Sequence, residues 1–202
     1  MMTRNLKDLT DKELESLIND EKEDFGLRKD ALQYIKKAEI IYKIAETSEN
    51  DWIRLEAATL SNNRKVLKNL ELNQDKQIKL QAAVELKDQE MLKQIAEDRS
   101  EDVNSIIALN NISDKNTLEK IALNGASDKI RTEAAIRVRD TKIIKKLATE
   151  IHNDWLRYKL CLYVNDLGPL QELANSTSDK RLQSIINEIL EVINPANEED
   201  ID

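Results

Sequence analysis

The sequence predicts an all-α protein, an α-α superhelix (solenoid) of about six two-helix repeats with a capping helix at each end. Two observations predict this fold. Apolar residues recur with a period of about 26 residues, and the 202-residue chain contains only 3 glycines, 2 prolines, 2 tryptophans, 4 tyrosines and 1 phenylalanine. An all-β fold needs many turn residues and strands rich in aromatic and β-branched residues, so this composition excludes it.

The first helix of each predicted repeat begins near an apolar anchor residue. Successive anchors are 25 or 26 residues apart, and one double interval leaves room for a further repeat at Asn104, beside Val103. A small or apolar residue follows four positions later, and this spacing places both residues on one side of an α-helix. The anchors are Leu27, Ile53, Ile78, Ile130, Leu156 and Leu182, and the residues four positions later are Ala31, Ala57, Ala82, Ala108, Ala134, Leu160 and Ile186.

A shorter second helix follows in each predicted repeat. An apolar residue and a pair of residues three and four positions later mark its buried side, in phase with the first pattern. Helix pairs this short cannot bury enough apolar surface alone, so each pair must pack against its neighbours, as in an α-solenoid. The second-helix pairs are Ile44-Ala45, Leu70-Glu71, Ile95-Ala96, Ile121-Ala122, Leu147-Ala148 and Leu173-Ala174.

The ends of the chain are predicted to cap this array. We divide the chain into an N-terminal capping helix with an acidic linker (1–23), the repeat solenoid (24–193) and an acidic disordered tail (194–202). Thr10 and Glu13 fit a capping box at the start of the first helix. The closing helix begins near Leu182, and Pro195 ends it.

One motif gives the repeat a family resemblance. The pattern Asp-x-Ile-Arg-x-x-Ala-Ala begins at Asp51 and again at Asp128, with a looser copy at Asp154. It resembles the HEAT-like and armadillo-like repeat superfamily, and in length the leucine-rich repeat variant, over roughly residues 25–192. The resemblance implies a curved superhelix whose concave surface holds another macromolecule.

Two kinds of polar residue recur in phase with the helices. Aspartates 26 residues apart are interpreted as N-caps of the second helices, in preference to an acidic ladder for a cation or a basic peptide. A basic residue follows most anchors, with Ser105 interrupting the series, and we expect an inter-repeat Arg–Asp ladder rather than a binding stripe. The capping aspartates are Asp88, Asp114, Asp140 and Asp166, and the basic residues are Arg28, Arg54, Lys79, Arg131 and Arg157. Their expected partners, three residues earlier or in the next layer, are Asp51, Asp102, Asp128 and Asp154.

Positive charge is concentrated in one segment of a protein whose formal net charge is −8. Residues 129–159 contain nine basic and four acidic side chains, and a basic face on an acidic body suits an acidic protein partner. The overall charge disfavours nucleic acid as the partner. The alternative is a solvated helix face, contacted by the acidic ends of the same molecule. The candidate partner-binding residues are Arg137, Arg139, Lys142 and Lys146.

Trp52 and Trp155 occupy the same position in the second and sixth predicted repeats. Tryptophan is enriched among the residues that dominate binding energy, so an exposed pair would anchor a partner. The alternative is that both indoles cover the seam between helices, beside Ile53 and Leu156. Both tryptophans remain candidate partner-binding residues.

Several classes of function are not expected from this sequence. The longest apolar run is residues 160–164, the N-terminus has no apolar stretch, and Cys161 is the single cysteine, so we expect a cytoplasmic protein without membrane segment or disulfide. His152, the single histidine, is expected in a solvated loop, and Cys161 in the core. One histidine and one cysteine are too few for a zinc site, and we predict no catalytic residue, metal or cofactor.

The sequence favours a non-enzymatic scaffold that binds a protein partner on its helical-repeat surface. The alternative is an enzyme on the same scaffold, because some HEAT-like families act as DNA alkylpurine glycosylases and others as bilin lyases. A structural or self-assembling role is a third hypothesis. The oligomeric state stays open.

Overall fold

The regular structure of the chain is helical throughout the described residues. The computed structural model describes residues 5–98, 103–164 and 166–193, and these ranges contain a 3-10 helix at Leu6–Asp8, fourteen α-helices and no strand. The all-α prediction is therefore confirmed. The expected disordered tail, 194–202, lies outside the described residues.

The chain divides into two units, Met1–Leu92 and Lys93–Asp202, with the boundary inside the helix Gln89–Ala96. The first unit contains α1 (Asp11–Asn19), α2 (Phe25–Leu32), α3 (Ala38–Thr47), α4 (Asp51–Leu60), α5 (Arg64–Leu70) and α6 (Lys76–Leu86). The helix at the boundary is α7 (Gln89–Ala96). The second unit contains α8 (Val103–Asn111), α9 (Lys115–Asn124), α10 (Asp128–Val138), α11 (Thr141–Glu150), α12 (Asp154–Cys161), α13 (Gly168–Ser176) and α14 (Lys180–Ile193).

The helix bounds agree with the predicted pattern of first and second helices. Pairs 1 to 6 are α2–α3, α4–α5, α6–α7, α8–α9, α10–α11 and α12–α13, preceded by α1 and followed by α14. The capping box of α1 is also present: Thr10 N donates to Glu13 Oε2 at 2.8 Å, and Thr10 Oγ1 accepts from Glu13 N at 3.4 Å. The Thr10 hydroxyl, which donates to Glu13 Oε2 at 2.7 Å, and the Thr10 backbone N–H lower the pKa of the Glu13 carboxyl.

Helices in each unit pack mainly on helices close to them in the chain. In the first unit α4 contacts α2, α3, α5 and α6, while α1 contacts α2 and α3. In the second unit α10 contacts α8, α9, α11 and α12, and α13 contacts α11, α12 and α14. Every extensive contact therefore joins helices that are adjacent in the chain or next but one. Helices of seven to fourteen residues are marginal alone, so this packing is what stabilises them.

Small residues line the packed side of the helices, as the sequence predicted. The five first-helix alanines, from Ala31 to Ala134 at the repeating position, are fully buried. The second-helix alanines are buried as well. Without side chains beyond Cβ, these positions let neighbouring helices approach closely. Two anchors, Leu27 and Leu156, are only half-buried, whereas Ile53, Ile78, Ile130 and Leu182 are buried.

Asp88, Asp114 and Asp140 directly precede α7, α9 and α11 and cap them, which confirms the capping interpretation for these three. The interpretation is wrong for Asp166, because the N-cap of α13 is Leu167 and Asp166 lies one residue earlier. Each carboxylate accepts a hydrogen bond from a backbone N–H at the start of its helix, where these groups have no helical partner. The pairs are Asp88 with Met91 N (3.0 Å), Asp114 with Thr117 N (2.8 Å), Asp140 with Lys142 N (2.8 Å) and Asp166 with Gly168 N (3.0 Å). The Thr117 hydroxyl, together with backbone N–H groups, also lowers the pKa of Asp114.

The residue after an anchor links two helices in five of the seven cases within the described residues; Arg54 and Lys79 do not form the link, and Arg54 Nε is buried without an acceptor. In the five links the side chain donates a hydrogen bond to a backbone carbonyl near the end of the preceding second helix or, for the first link, of α1, where carbonyl groups lack helical partners. Ser105 keeps this link although it interrupts the basic series. The links are Arg28 Nε to Ile18 O (2.8 Å), Ser105 Oγ to Ile95 O (3.2 Å), Arg131 Nε to Ala122 O (3.3 Å), Arg157 Nε to Ala148 O (2.8 Å) and Gln183 Nε2 to Ala174 O (2.8 Å).

The expected inter-repeat Arg–Asp ladder is wrong in its geometry. Arg54, Arg131 and Arg157 each pair with the aspartate three residues earlier in the same helix, because that spacing places both side chains on one face. The pairs are Arg54–Asp51 (2.9 Å), Arg131–Asp128 (3.3 Å) and Arg157–Asp154 (3.4 Å). Arg131 and Arg157 contact the preceding helix through the hydrogen bond from Nε to a backbone carbonyl. Asp102 lies outside the described residues.

Pair 2 carries a buried carboxylate where the other pairs have alanine. Glu71 is 0% exposed, and its carboxylate oxygens accept no hydrogen bond of good geometry from the described residues. Its counter-charge is Lys68, whose Nζ lies 2.5 Å from Oε2 and also pairs with Asp88. This ammonium group lowers the pKa of Asp88 and has its own pKa raised by the two carboxylates.

Apolar replacement of the two ion-pair partners should have opposite effects. Glu71→Met removes a buried charge and leaves Lys68 paired with Asp88, so we expect the free energy of unfolding to rise by about 1 kcal/mol. Lys68→Met leaves the buried Glu71 carboxylate without a counter-charge, so we expect a loss of about 3 kcal/mol. Urea denaturation of both variants measures the two changes. A loss in both variants would contradict this account of Glu71.

Candidate functional site

Five of the six candidate residues lie in the second unit and one in the first. Arg137 and Arg139 end α10, Lys142 and Lys146 lie on α11, and Trp155 lies on α12. Trp52 lies on α4 of the first unit. Within the described part of the second unit, no hydrogen bond, ion pair or ring contact joins Trp155 to the four basic residues.

Arg137 belongs to the packing of the second unit rather than to a free surface. Its guanidinium donates to Ile112 O at 2.8 Å and also to Leu109 O, both at the C-terminal end of α8. The side chain is half-buried, and it adds a donor to Ile112 O and a second donor to Leu109 O, which also accepts from Ile112 N at 3.1 Å. Arg137 therefore links α10 to the end of α8, and its assignment as a partner-binding residue stays a prediction.

Most of the positive charge in residues 129–159 is neutralised within the second unit. Besides Arg137, five of the nine basic side chains pair with carboxylates: Arg131 with Asp128 and Glu150, Lys145 with Asp166 (2.5 Å), Lys146 with Glu150 (3.7 Å), Arg157 with Asp154, and Lys159 with Glu133. Lys145 also lowers the pKa of the Asp166 carboxyl. These ion pairs favour the alternative interpretation, a solvated helix face contacted by acidic groups of the same molecule, over a basic face that is free for a partner.

Arg139 and Lys142 are different, and we name them the basic pair. Both side chains are exposed, and the described residues offer neither of them an ion-pair partner. Arg139 ends α10 in the left-handed region, at φ 58°, and α11 begins two residues later. The short connection therefore presents two unneutralised cations next to the start of α11.

Trp155 is exposed but held in place. Its ring is 42% exposed, Nε1 donates to Asp179 Oδ2 at 3.0 Å, and the ring meets Tyr158 edge-on with 6.1 Å between centroids. That hydrogen bond, together with backbone N–H groups of α14, lowers the pKa of Asp179. The indole thus links α12 to the start of α14 and exposes part of its surface.

Trp52 lies in an open cleft of the first unit, which we name the tryptophan cleft. The cleft has a volume of about 520 Å³ and runs over three successive first helices, α2, α4 and α6. Trp52 is half-buried against the core, and its indole N–H donates to no acceptor among the described residues. The other lining residues are Phe25, Lys29, Leu55, Glu56, Thr59, Gln81 and Glu85.

The walls of the tryptophan cleft combine apolar rings with paired charges. Phe25 is 43% exposed at its rim. Glu56 pairs with Lys29 at 3.1 Å and accepts from Gln33 Nε2 at 3.2 Å, which fixes the polar edge. The sequence analysis identified Trp52 but missed Phe25 and the cleft, although helical spacing from successive anchors could have placed these side chains on one face.

The remaining candidate groups for chemistry are isolated. Cys161 is buried, as expected, and burial raises the pKa of its thiol. His152 is exposed in the connection between α11 and α12. Within the described ranges, no three His, Cys, Asp or Glu side chains lie close enough to hold a metal ion.

Comparison with protein-family models, curated proteins and solved structures finds no match to this chain. Among the helices that the structure describes, none combines the length and the apolar character needed to cross a membrane.

The two arginines at the end of α10 should behave differently when replaced. Arg137→Met removes the donor to Ile112 O and one donor to Leu109 O, so we expect the free energy of unfolding to fall by about 2 kcal/mol. Arg139→Asn places at this position a residue that tolerates positive φ, so we expect it to change the free energy of unfolding by less than about 0.5 kcal/mol. Urea denaturation compares them, and equal stability of the two variants would contradict the role given to Arg137.

Proposed function

We propose that this chain is a non-enzymatic helical-repeat scaffold, of the HEAT-like and armadillo-like kind, that binds a protein partner. Support for the repeat comes from the in-phase helix pairs, their buried alanines and the side-chain-to-carbonyl link that five of the residues after anchors form. Support also comes from the packing, because each unit is stabilised by contacts between helices that are neighbours in the chain.

The observation that most strongly supports partner binding is the tryptophan cleft. Three successive first helices form it, Phe25 is exposed at its rim, and the indole N–H of the half-buried Trp52 has no acceptor among the described residues. Tryptophan side chains in a depression of this kind supply a large contact area and a free hydrogen-bond donor. We propose that an apolar side chain of the partner contacts Trp52 and Phe25 there.

The basic pair supports an acidic partner. Arg139 and Lys142 are exposed cations without an ion-pair partner among the described residues, on a protein of net charge −8. They attract the carboxylates of a partner, whereas the net negative charge of the protein repels those carboxylates. Exposed charges of this kind mainly raise the association rate. We therefore propose that contacts in the tryptophan cleft supply most of the affinity for the partner, and that the basic pair recognises an acidic segment of the partner.

A variant that fills the tryptophan cleft tests this function. Thr59→Arg adds a long side chain to the wall without removing core packing, so we expect the affinity for the partner to fall at least tenfold and the melting temperature to stay unchanged. The partner is first isolated on the unmodified protein from its native cells, and binding to purified variants is then measured by titration.

Asn110→Arg is the matched control, because residue 110 holds in α8 the position that Thr59 holds in α4. It should bind the partner as the unmodified protein does. Equal affinity of all three proteins would contradict the assignment of the cleft. Retention of duplex DNA instead of a protein, in a salt-dependent manner, would favour the glycosylase-like alternative.

A further inference from the structure

The helix pairs contain a recurring carboxylate bridge. In α4 the first residue, Asp51, accepts from Arg54 NH1 at 2.9 Å through one oxygen and from Asn73 Nδ2 at 2.7 Å through the other. Asn73 follows α5, so the carboxylate joins the start of a first helix to the segment after its second helix. A bridged carboxylate of this kind satisfies a half-buried arginine.

The sixth pair has the same bridge with a hydroxyl in place of the amide. Asp154, the first residue of α12, faces Arg157 NH1 at 3.4 Å and accepts from Thr177 Oγ1 at 2.7 Å. Thr177 is buried, and its Oγ1 in turn accepts from Asp179 N at 3.2 Å. The bridge therefore needs an arginine, a carboxylate and a donor after the second helix.

The first pair has the arginine and the hydroxyl but no carboxylate. Arg28 corresponds to Arg157, and Ser48 corresponds to Thr177: it is buried, it follows α3, and its Oγ accepts from Asn50 N at 3.4 Å. The first residue of α2, where the other bridges have aspartate, is Phe25.

The arginine of this incomplete bridge is buried without a counter-charge. Arg28 is 6% exposed, its Nε donates to Ile18 O, and its two terminal nitrogens donate to no acceptor among the described residues. A cation this buried ordinarily has a carboxylate partner. Arg28 and Ser48 instead line an open pocket of about 420 Å³ in the first unit.

We propose that this pocket binds a single carboxylate, which takes the place that Asp154 holds in the sixth pair. Arg28 donates to one carboxylate oxygen and Ser48 Oγ–H to the other. The proposal rests on the proposed function in one respect only: the carboxylate belongs to a protein partner, as an acidic side chain or as its C-terminus.

The charges around the pocket favour a carboxylate over a phosphate dianion. Lys43 lines the pocket but already pairs with Glu15 at 2.8 Å, and Glu21 and Glu49 also line it. One unpaired buried guanidinium among these carboxylates attracts a singly charged group, whereas a doubly charged one meets more repulsion. The planar fork of arginine also matches a carboxylate.

Nuclear magnetic resonance of the full chain tests the site with defined probes. The probes are acetyl-Gly-Glu-Gly-amide (side-chain carboxylate), acetyl-Gly-Gly-Gly (terminal carboxylate), acetyl-Gly-Gln-Gly-amide (no carboxylate) and inorganic phosphate. We expect either or both carboxylate probes to give saturable shifts of the Arg28 Nε–H and Asn50 amide signals, and the stronger of the two identifies the source. The Arg157 Nε–H signal should stay unchanged, because Asp154 already fills its bridge.

Phe25→Asp is the decisive variant, because it supplies the missing carboxylate within the chain. We expect it to weaken probe binding at least about tenfold without lowering the melting temperature, since the new aspartate completes the bridge. Phe25→Asn, with the same shape and no charge, should bind the probes as the unmodified protein does.

Three results would overturn the proposal: no saturable shift with either carboxylate probe, equal shifts with the glutamine probe, or saturable binding of phosphate alone. Undiminished carboxylate binding in Phe25→Asp would overturn it as well. The small probes report only on the site around Arg28 and do not test partner binding. The carboxylate site can therefore be absent although the chain is a partner-binding scaffold, and it can be present although the chain is not.

Discussion

Close approach of short helices is the constraint on which the rest of this structure depends. Helices of seven to fourteen residues gain too little from their own hydrogen bonds to persist in water, so each must bury its apolar side against another. Ala57, Ala82 and Ala134 are fully buried at the places where neighbours pack. A larger side chain there would hold the helices apart, and the Leu and Ile side chains around them would lose their contacts. The polar links follow from the same constraint, because packed helix ends leave carbonyl groups that a side chain such as Arg157 must satisfy.

Departures from the repeating pattern are the most informative positions in the chain. Glu71 puts a carboxylate where other pairs have alanine, and Lys68 neutralises it. Phe25 stands where α4, α10 and α12 begin with aspartate, which leaves Arg28 without a counter-charge and exposes an aromatic ring in the tryptophan cleft. The phenylalanine in place of aspartate at position 25 thus affects both proposed binding features of the first unit, the carboxylate pocket and the tryptophan cleft. In the second unit the unusual feature is the basic pair, which remains unpaired while neighbouring lysines have carboxylate partners.

The sequence predicted the helices, their phase, three of the four capping aspartates and the buried alanines, because each of these depends on spacing within one or two helices. It named Asp51 among the partners of the basic residues but favoured links between repeats, whereas Arg54 pairs with Asp51 three residues away on one helical face. It did not predict contacts between residues distant in the chain, such as the hydrogen bond from Arg137 to Ile112 O, 25 residues earlier. The tryptophan cleft was missed for the same reason, since its walls come from three helices whose side chains meet only after packing. Charge counting also overestimated the basic face, because local composition does not show which carboxylates lie within reach.

Deletion of one full period tests the central claim most directly. Removal of residues 128–153 takes out α10 and α11, joins Ser127 to Asp154 as a new helix start, and brings Arg157 to the position that Arg131 held relative to Ala122. If the helix pairs are equivalent stacked units, this protein will unfold cooperatively in urea, with unchanged helicity per residue and a denaturant slope reduced roughly in proportion to its length. Removal of residues 128–140 alone, which takes out α10 and leaves α11 behind α9, should abolish the cooperative transition. If the variant that lacks residues 128–153 is unfolded, or unfolds without cooperativity, the result would contradict the account.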